Sequence, residues 1–136
     1  MLDPKRILVL APHTDDAELG CGGSIAKWVE AGVEVSVAAF STAEAALDSL
    51  GIPEHRRHIY DFPVRELGYH RQEVLEILVQ LGRDVQPEWI LVPSSADLHQ
   101  DHQVVYNEGL RAFKHLTLLG YELPWNHITF SASAFV

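Results

Sequence analysis

KRILVLAPHTDD, residues 5–16, joins an apolar run to a turn that carries one histidine and two aspartates. The run is rich in strand-forming residues, and the apolar positions within 19–32 recur at helical spacing. The sequence therefore predicts a strand, a turn and a helix in that order. In open α/β sheets, such turns lie at the carboxyl ends of the strands, where ligands bind.

A second cluster repeats this arrangement downstream. Residues 89–93, WILVP, predict a buried strand, and 102–116 predict a helix. Between them, DLHQDH at 97–102 places His99 and His102 one helical turn apart on one face. Because a parallel sheet gathers the carboxyl ends of its strands at one edge, we expect the two clusters to meet.

Strand and helix signals alternate along the whole chain, which predicts a Rossmann-like α/β fold with a mostly parallel sheet and helices on both faces. With 136 residues the chain suits a single domain, 1–136. The remaining predicted elements are strands at 33–40 and 58–62, helices at about 43–50 and 70–82, and an extended segment at 128–130.

The bulk composition excludes several classes of protein. The net charge is −9 without a basic stripe, so a nucleic-acid partner is not expected. No apolar segment approaches the roughly 20 residues needed to span a bilayer, and there is no signal peptide pattern. We therefore expect a cytoplasmic protein without a transmembrane segment, and its single cysteine, Cys21, agrees with a reducing compartment.

The two clusters contain the donor atoms of a hydrolytic metal site. Zinc in such sites usually takes three nitrogen or oxygen ligands and leaves a fourth position to water. His13, Asp16 and His102 can supply the three ligands. Adjacent aspartates on a turn point in different directions, so Asp15 can act as the base that takes the proton of the water.

Two further residues of the second cluster have candidate roles. His99 could stabilise the oxyanion of a tetrahedral intermediate and assist the leaving amine. Asp101 would orient a histidine from behind. The alternative is a purely structural role, in which the aspartates at 15–16 only cap the helix and the histidines are ordinary surface or core residues.

Other motifs carry weaker signals. GCGG at 20–23 does not have the spacing of a dinucleotide-binding turn, and the acidic residues beside it would repel a pyrophosphate. The better explanation is that these glycines let the helix pack closely on the sheet. Cys21 is then expected to be a buried thiol. Charges after the third strand, at Arg65, His70 and Arg71, either hold a sugar or phosphate or are solvated charges at a helix start. Trp125 either packs or lines a sugar site.

Together, APHTDDAELGCGG at 11–23 and PSSADLHQDH at 93–102 resemble the PIG-L/LmbE-like family of zinc-dependent N-deacetylases. Thr14 stands where the family usually has proline. The family also normally has a longer loop after Thr42 and continues past Val136. The resemblance therefore implies either a domain shortened at these two places or a sequence from which segments after Thr42 and after Val136 are omitted. Position by position, it implies zinc binding by His13, Asp16 and His102, a general base at Asp15, and an oxyanion stabiliser at His99 supported by Asp101.

The resemblance implies a zinc-dependent hydrolase that removes an acetyl group from an N-acetylglucosamine-type amino sugar through a metal-bound water. Fe²⁺ or another divalent ion also suits two histidines and one aspartate. A small-molecule N-acetylated sugar is the expected partner, and the sequence leaves open whether the protein forms a homo-oligomer. Two other functions stay open: a metal- or sugar-binding protein without turnover, and an amidase acting on a non-sugar N-acyl substrate.

Overall fold

The computed structural model describes residues 3–13, 15–41, 47–129 and 131–134. The five strands are β1 (Arg6–Ala11), β2 (Glu34–Ala39), β3 (Arg57–Ile59), β4 (Trp89–Pro93) and β5 (Thr117–Tyr121). The long helices are α1 (Asp16–Glu30), α2 (Arg71–Val85) and α3 (Gln100–Phe113). Short 3-10 helices lie at Glu54–Arg56, Leu67–His70 and Pro124–Asn126.

The five strands form one sheet in the order β3-β2-β1-β4-β5, and every neighbouring pair is parallel. The chain builds outward from β1 to β3, then crosses back to β4 on the other side of β1. In such sheets, ligands bind at the point where the strand order reverses. Here that crevice lies between the ends of β1 and β4, so the turns that carry the two clusters are side by side.

Both faces of the sheet are covered, as an uninterrupted apolar strand such as β1 requires. Ile7 and Val9 face the core under α1, whereas Leu8 and Leu10 face the core under α2 and α3. All four side chains are fully buried. The predicted α/β fold with helices on both faces is therefore confirmed.

Helix α1 begins at Asp16 rather than at residue 19, and its backbone leaves helical geometry at Cys21, where φ is −148° and ψ is 21°. The neighbouring Gly20 lies against the β5 side chain of Tyr121, and a β-carbon at Gly20 would stand 2.4 Å from that ring. Close packing therefore explains this glycine. The Cys21 thiol is buried and donates to the Ala17 carbonyl at 3.3 Å, and burial raises its pKa to about 12.

The strand β5 was not predicted, because the helical pattern of the preceding segment was extended to residue 116. In the structure α3 ends at Phe113, and the amide of Leu116 closes a turn on the Phe113 carbonyl at 2.8 Å. Of the predicted helix at about 43–50, residues 43–46 lie outside the described residues, 47–48 are helical and 49–50 form a turn. Residues 128–129 form no regular strand, and residue 130 is not described. None of the helices in the described ranges is long and apolar enough to cross a membrane.

Candidate metal centre

The two clusters meet in the crevice between β1 and β4. His13 follows β1, Asp16 opens α1, and His102 lies in the first turn of α3. The His102 Nε2 atom lies 3.3 Å from His13 Nδ1 and 3.1 Å from Asp16 Oδ2, and the last two atoms are 3.4 Å apart. The three atoms therefore form a nearly equilateral triangle.

Two further carboxylates set the proton positions on the histidine rings. Asp101 Oδ2 lies 2.7 Å from His13 Nε2, and Asp97 Oδ2 lies 2.7 Å from His102 Nδ1. An ionised carboxylate only accepts, so these two ring nitrogens carry protons. In each neutral ring the other nitrogen then keeps a lone pair, and these are the two nitrogens of the triangle.

The triangle thus consists of three acceptor atoms, which repel one another unless protons or a cation lie between them. Burial lowers the pKa of His13 and of His102, but hydrogen bonds to Asp16 and a second carboxylate, with their negative charges, outweigh it and raise both pKa values. Burial tends to raise the pKa of Asp16, yet hydrogen bonds from the two histidines hold it well below its usual range. Positive charge is therefore favoured at this point.

The spacing of the triangle suits a divalent ion. Around a tetrahedral ion with bonds of about 2.1 Å, neighbouring ligand atoms are about 3.4 Å apart, and zinc sites commonly use histidine nitrogen and carboxylate oxygen. Nitrogens of His13, His99 and His102 form a looser group, within 4.8 Å of one another. We favour the set with Asp16, because its separations of 3.1–3.4 Å are those of atoms that share one ion.

His99 stands at the edge of the triangle as the N-cap residue of α3, with its ring centroid 4.7 Å from those of His13 and His102. The backbone N–H of Asp101 donates to His99 Nδ1 at 3.1 Å, which leaves the proton of the neutral ring on Nε2. Burial, followed by positive charge on the other two histidines, lowers the pKa of His99. A neutral ring with an Nε2–H donor is therefore favoured near neutral pH.

The adjacent aspartates at the start of α1 differ in their surroundings. Asp16 is buried and accepts from the backbone N–H of His13 at 2.7 Å. Asp15 occupies the N-cap position and is exposed, but its side chain makes no capping hydrogen bond. The capping explanation therefore accounts for neither side chain, and the exposed Asp15 residue directly precedes Asp16 in the chain.

Asp101 contacts a different histidine from the one that the resemblance implied. Its carboxylate lies on His13, whereas only its backbone N–H contacts His99. The carboxylate also accepts from the backbone N–H groups of Arg65 at 2.6 Å and Leu67 at 3.2 Å. It thereby ties the loop after β3 to the site, and Arg65 adopts a left-handed backbone there, with φ at 70°.

Asp97 has a role in the site that was not predicted from the sequence. One oxygen of Asp97 does accept from the His99 backbone N–H at 2.9 Å, as a capping residue would. The other oxygen holds His102, and the carboxylate is buried. The available signal was the aspartate five positions before a candidate ligand histidine.

The charged residues after β3 are engaged with helix carboxylates. The guanidinium of Arg71 contacts the buried Glu108 at 2.8 Å, and His70 lies 2.9 Å from Glu73. For Arg71 and His70, these contacts favour a role as charges at a helix start over a role in holding a sugar or phosphate. The contact of Arg65 described above uses its backbone, and its side chain is exposed.

Comparisons with known proteins identify the family to which the chain is similar. The family model described as PIG-L, GlcNAc-PI de-N-acetylase, matches residues 8–50 and 41–113. The uncharacterized deacetylase YaiS of Escherichia coli (strain K12) is 28% identical, over 96% of this chain and 80% of that protein. Diacetylchitobiose deacetylase of Thermococcus kodakarensis is 30% identical, over 81% of this chain and 49% of its own length.

Solved structures show the same fold. N,N′-diacetylchitobiose deacetylase from Pyrococcus horikoshii has a TM-score of 0.64 at 24% identity, over 81% of this chain and 49% of that one. The A40926 pseudoaglycone deacetylase Dbv21 has a TM-score of 0.74 at 20% identity, over 98% and 70%. The chain thus spans about half the length of the diacetylchitobiose deacetylases. Because the family model matches most of the chain and includes both clusters, the chain belongs to the PIG-L family of de-N-acetylases.

Proposed function

We propose that the protein is a divalent-metal-dependent deacetylase that hydrolyses the acetamide of an N-acetylated amino sugar of the N-acetylglucosamine type. The observation that carries the proposal is the triangle of three acceptor atoms with His99 at its edge. The names of the relatives, which include diacetylchitobiose deacetylases, support the sugar as substrate.

The ion would be held by His13 Nδ1, Asp16 Oδ2 and His102 Nε2. When bound, a divalent ion supplies positive charge that polarises a carbonyl and makes water more acidic. Zinc is the first candidate, and ferrous iron suits the same donors. Two buried carboxylates support the rings from behind, Asp101 on His13 and Asp97 on His102, and such partners keep a ligand nitrogen oriented and basic.

Asp15 is the proposed general base. Its carboxylate is exposed and makes no capping hydrogen bond, so it can take a proton from the attacking water. The same carboxyl group can then pass the proton to the nitrogen of the leaving amine. Asp16 is assigned to the ion rather than to this role, because it is buried and its Oδ2 atom contacts His102 and the His13 backbone N–H.

His99 is the proposed donor to the amide oxygen. Its Nδ1 is occupied by the Asp101 backbone N–H, so the neutral ring presents its proton on Nε2. A fixed N–H donor stabilises the negative charge that develops on the oxygen when water adds to the carbonyl. The lowered pKa of His99 keeps this ring neutral without removing that proton.

Acetate release tests the proposal directly. The metal-loaded protein would be assayed with N-acetylated amino sugars and with N-acetylated amino acids, and the bound ion would be measured by elemental analysis. We expect about one ion per chain, turnover of the sugars, and loss of turnover on chelation that the added ion restores. Turnover of amino acid amides alone would identify a non-sugar amidase. One bound ion without turnover of any amide would favour a binding protein.

A further inference from the structure

The segment at 63–67, which we call the Arg65 segment, is attached to the candidate metal centre through its backbone. Residues 63–66 are all exposed, whereas Leu67 is buried in the core under α2 and α3. The backbone N–H groups of Arg65 and Leu67 donate to Asp101 Oδ2 and Oδ1 at 2.6 and 3.2 Å. The Gln100 side-chain amide reaches the Arg65 carbonyl at 3.4 Å. Hydrogen bonds to the first turn of α3 therefore hold the exposed part of the segment in place.

The backbone of Arg65 is strained in this attached conformation. Its φ of 70° lies in the left-handed region, which is unfavourable for a residue with a β-carbon. The Arg65 side chain is exposed, so burial of that side chain does not hold the backbone there. Strain of this kind persists only where the surrounding structure holds the residue, and it is concentrated at functional sites. The hydrogen bonds of the Arg65 backbone to α3 are the interactions that offset it.

The oxygen that holds Arg65 also holds a proposed metal ligand. Asp101 Oδ2 accepts from the Arg65 N–H and from His13 Nε2, at 2.6 and 2.7 Å, and the carboxylate is fully buried. A carboxylate in this position orients the ligand ring. An ion on His13 Nδ1 would in turn fix that ring and keep its Nε2–H on Asp101. The carboxylate would then stay where the Arg65 segment needs it.

We propose that Arg65 is a positioning residue of the metal centre that acts through its backbone, so that attachment of the Arg65 segment to Asp101 and ion binding by His13 stabilise each other. This inference rests on the ion site of the proposed function. Coupling between two equilibria is reciprocal, so the factor by which the ion favours attachment is the factor by which attachment raises ion affinity. Metal loading thus orders the segment beside the crevice.

Hydrogen exchange tests one direction of this coupling. Exchange of the Arg65 and Leu67 backbone amides would be followed by NMR in the metal-free protein and after addition of Zn²⁺. Zn²⁺ should slow both amides by about 5- to 150-fold, the usual range of such coupling. The Arg56 N–H donates to the Pro53 carbonyl at 3.0 Å in a separate 3-10 turn, so it controls for general stabilisation and should change far less. Unchanged exchange at Arg65, or equal slowing at Arg56, would overturn the inference.

Substitutions of Arg65 test the other direction. Arg65→Pro removes the N–H and excludes a φ of 70°, so its affinity for Zn²⁺, measured by competition with a chromophoric chelator, should fall about fivefold or more. Arg65→Ala is the matched control, because it removes the exposed guanidinium and keeps the N–H, and its affinity should stay within about twofold of the wild type. Equal affinities of the two variants would contradict a role of the backbone. If Arg65→Pro does not fold, the exchange of the wild-type amides decides.

Acetate release, measured on the same preparations, separates this inference from the proposed function. If Zn²⁺ protects the Arg65 and Leu67 amides in a protein that hydrolyses no amide, the coupling stands and only the proposed hydrolysis fails. If the protein hydrolyses N-acetylated sugars while Zn²⁺ leaves the exchange of these amides unchanged, only the coupling fails. A protein that binds no divalent ion would contradict both.

Discussion

Replacing Asp101 with asparagine isolates the support that a buried carboxylate gives to the candidate metal centre. Asp101 Oδ2 accepts from His13 and from the Arg65 backbone, and Oδ1 accepts from the Leu67 backbone. Asparagine has one acceptor oxygen. If that oxygen takes the Oδ2 position, the amide NH₂ faces the Leu67 N–H, which then has no acceptor. In the opposite orientation, the NH₂ faces His13 and the Arg65 N–H, and both of their hydrogen bonds are lost. At least one buried donor is therefore left without its acceptor.

The cost can be worked from these contacts. One unsatisfied buried donor lowers the free energy of unfolding by about 1–3 kcal/mol. Losing the negative charge behind His13 also makes its ring a poorer ligand, and loss of such a partner typically weakens metal binding by about 10- to 100-fold. Urea denaturation of the metal-free protein measures the first effect, and competition with a chromophoric chelator measures the second.

Glu76→Gln on the exposed face of α2 is the control for this experiment, because it removes the same charge without touching the centre. It should bind the ion as tightly as the wild type and be nearly as stable. If Asp101→Asn kept wild-type metal affinity and stability, the assignment of Asp101 as the support of His13 would be refuted.

Three further outcomes follow from local features. Asp15→Asn should retain the metal and lose about 10²- to 10⁴-fold in rate, measured by elemental analysis and acetate release, and loss of the ion would contradict its role as base. Gly20→Ala should lower the free energy of unfolding by about 1–3 kcal/mol, because its methyl group would meet the Tyr121 ring at 2.4 Å. A β-carbon added at Gly23 would have no atom within 4 Å, so Gly23→Ala should raise the free energy of unfolding by about 0.5–1 kcal/mol. Equal effects of the two substitutions in denaturation would contradict the packing argument. The Cys21 thiol, with its pKa raised to about 12, should resist a disulfide reagent at neutral pH until the protein unfolds, and immediate labelling would refute this.

The sequence predicted the centre of the sheet better than its edge. β1 and β4 are buried on both faces, so their continuous apolar runs were unambiguous. β5 is an edge strand among the described residues, is mostly half-exposed, and contains Gly120, so its pattern was not distinctive. Only three residues separate the end of α3 from the start of β5, so the predicted helix was extended to Leu116.

In the candidate site, the sequence indicated which residues meet but not how they pair. The spacing within each cluster, together with parallel strands, was enough to predict that His13 and His102 lie close together. The pairing of Asp101 with His13 crosses 88 positions, and no local pattern encodes it. Asp97 was overlooked because one of its oxygens makes the ordinary turn contact, and the sequence does not show what the second oxygen binds.

The separation of His13 and His102 by 89 positions has a consequence for folding. An ion held by both would cross-link the ends of β1 and β4 and close a long loop of the chain. At a free concentration 1,000 times its dissociation constant, an ion that binds only the native state adds about 4 kcal/mol to stability. That is a large share of the free energy of unfolding of a typical domain, which is about 5–15 kcal/mol. Starving the protein of metal would therefore expose it to unfolding and proteolysis, so metal supply would control how much of it survives.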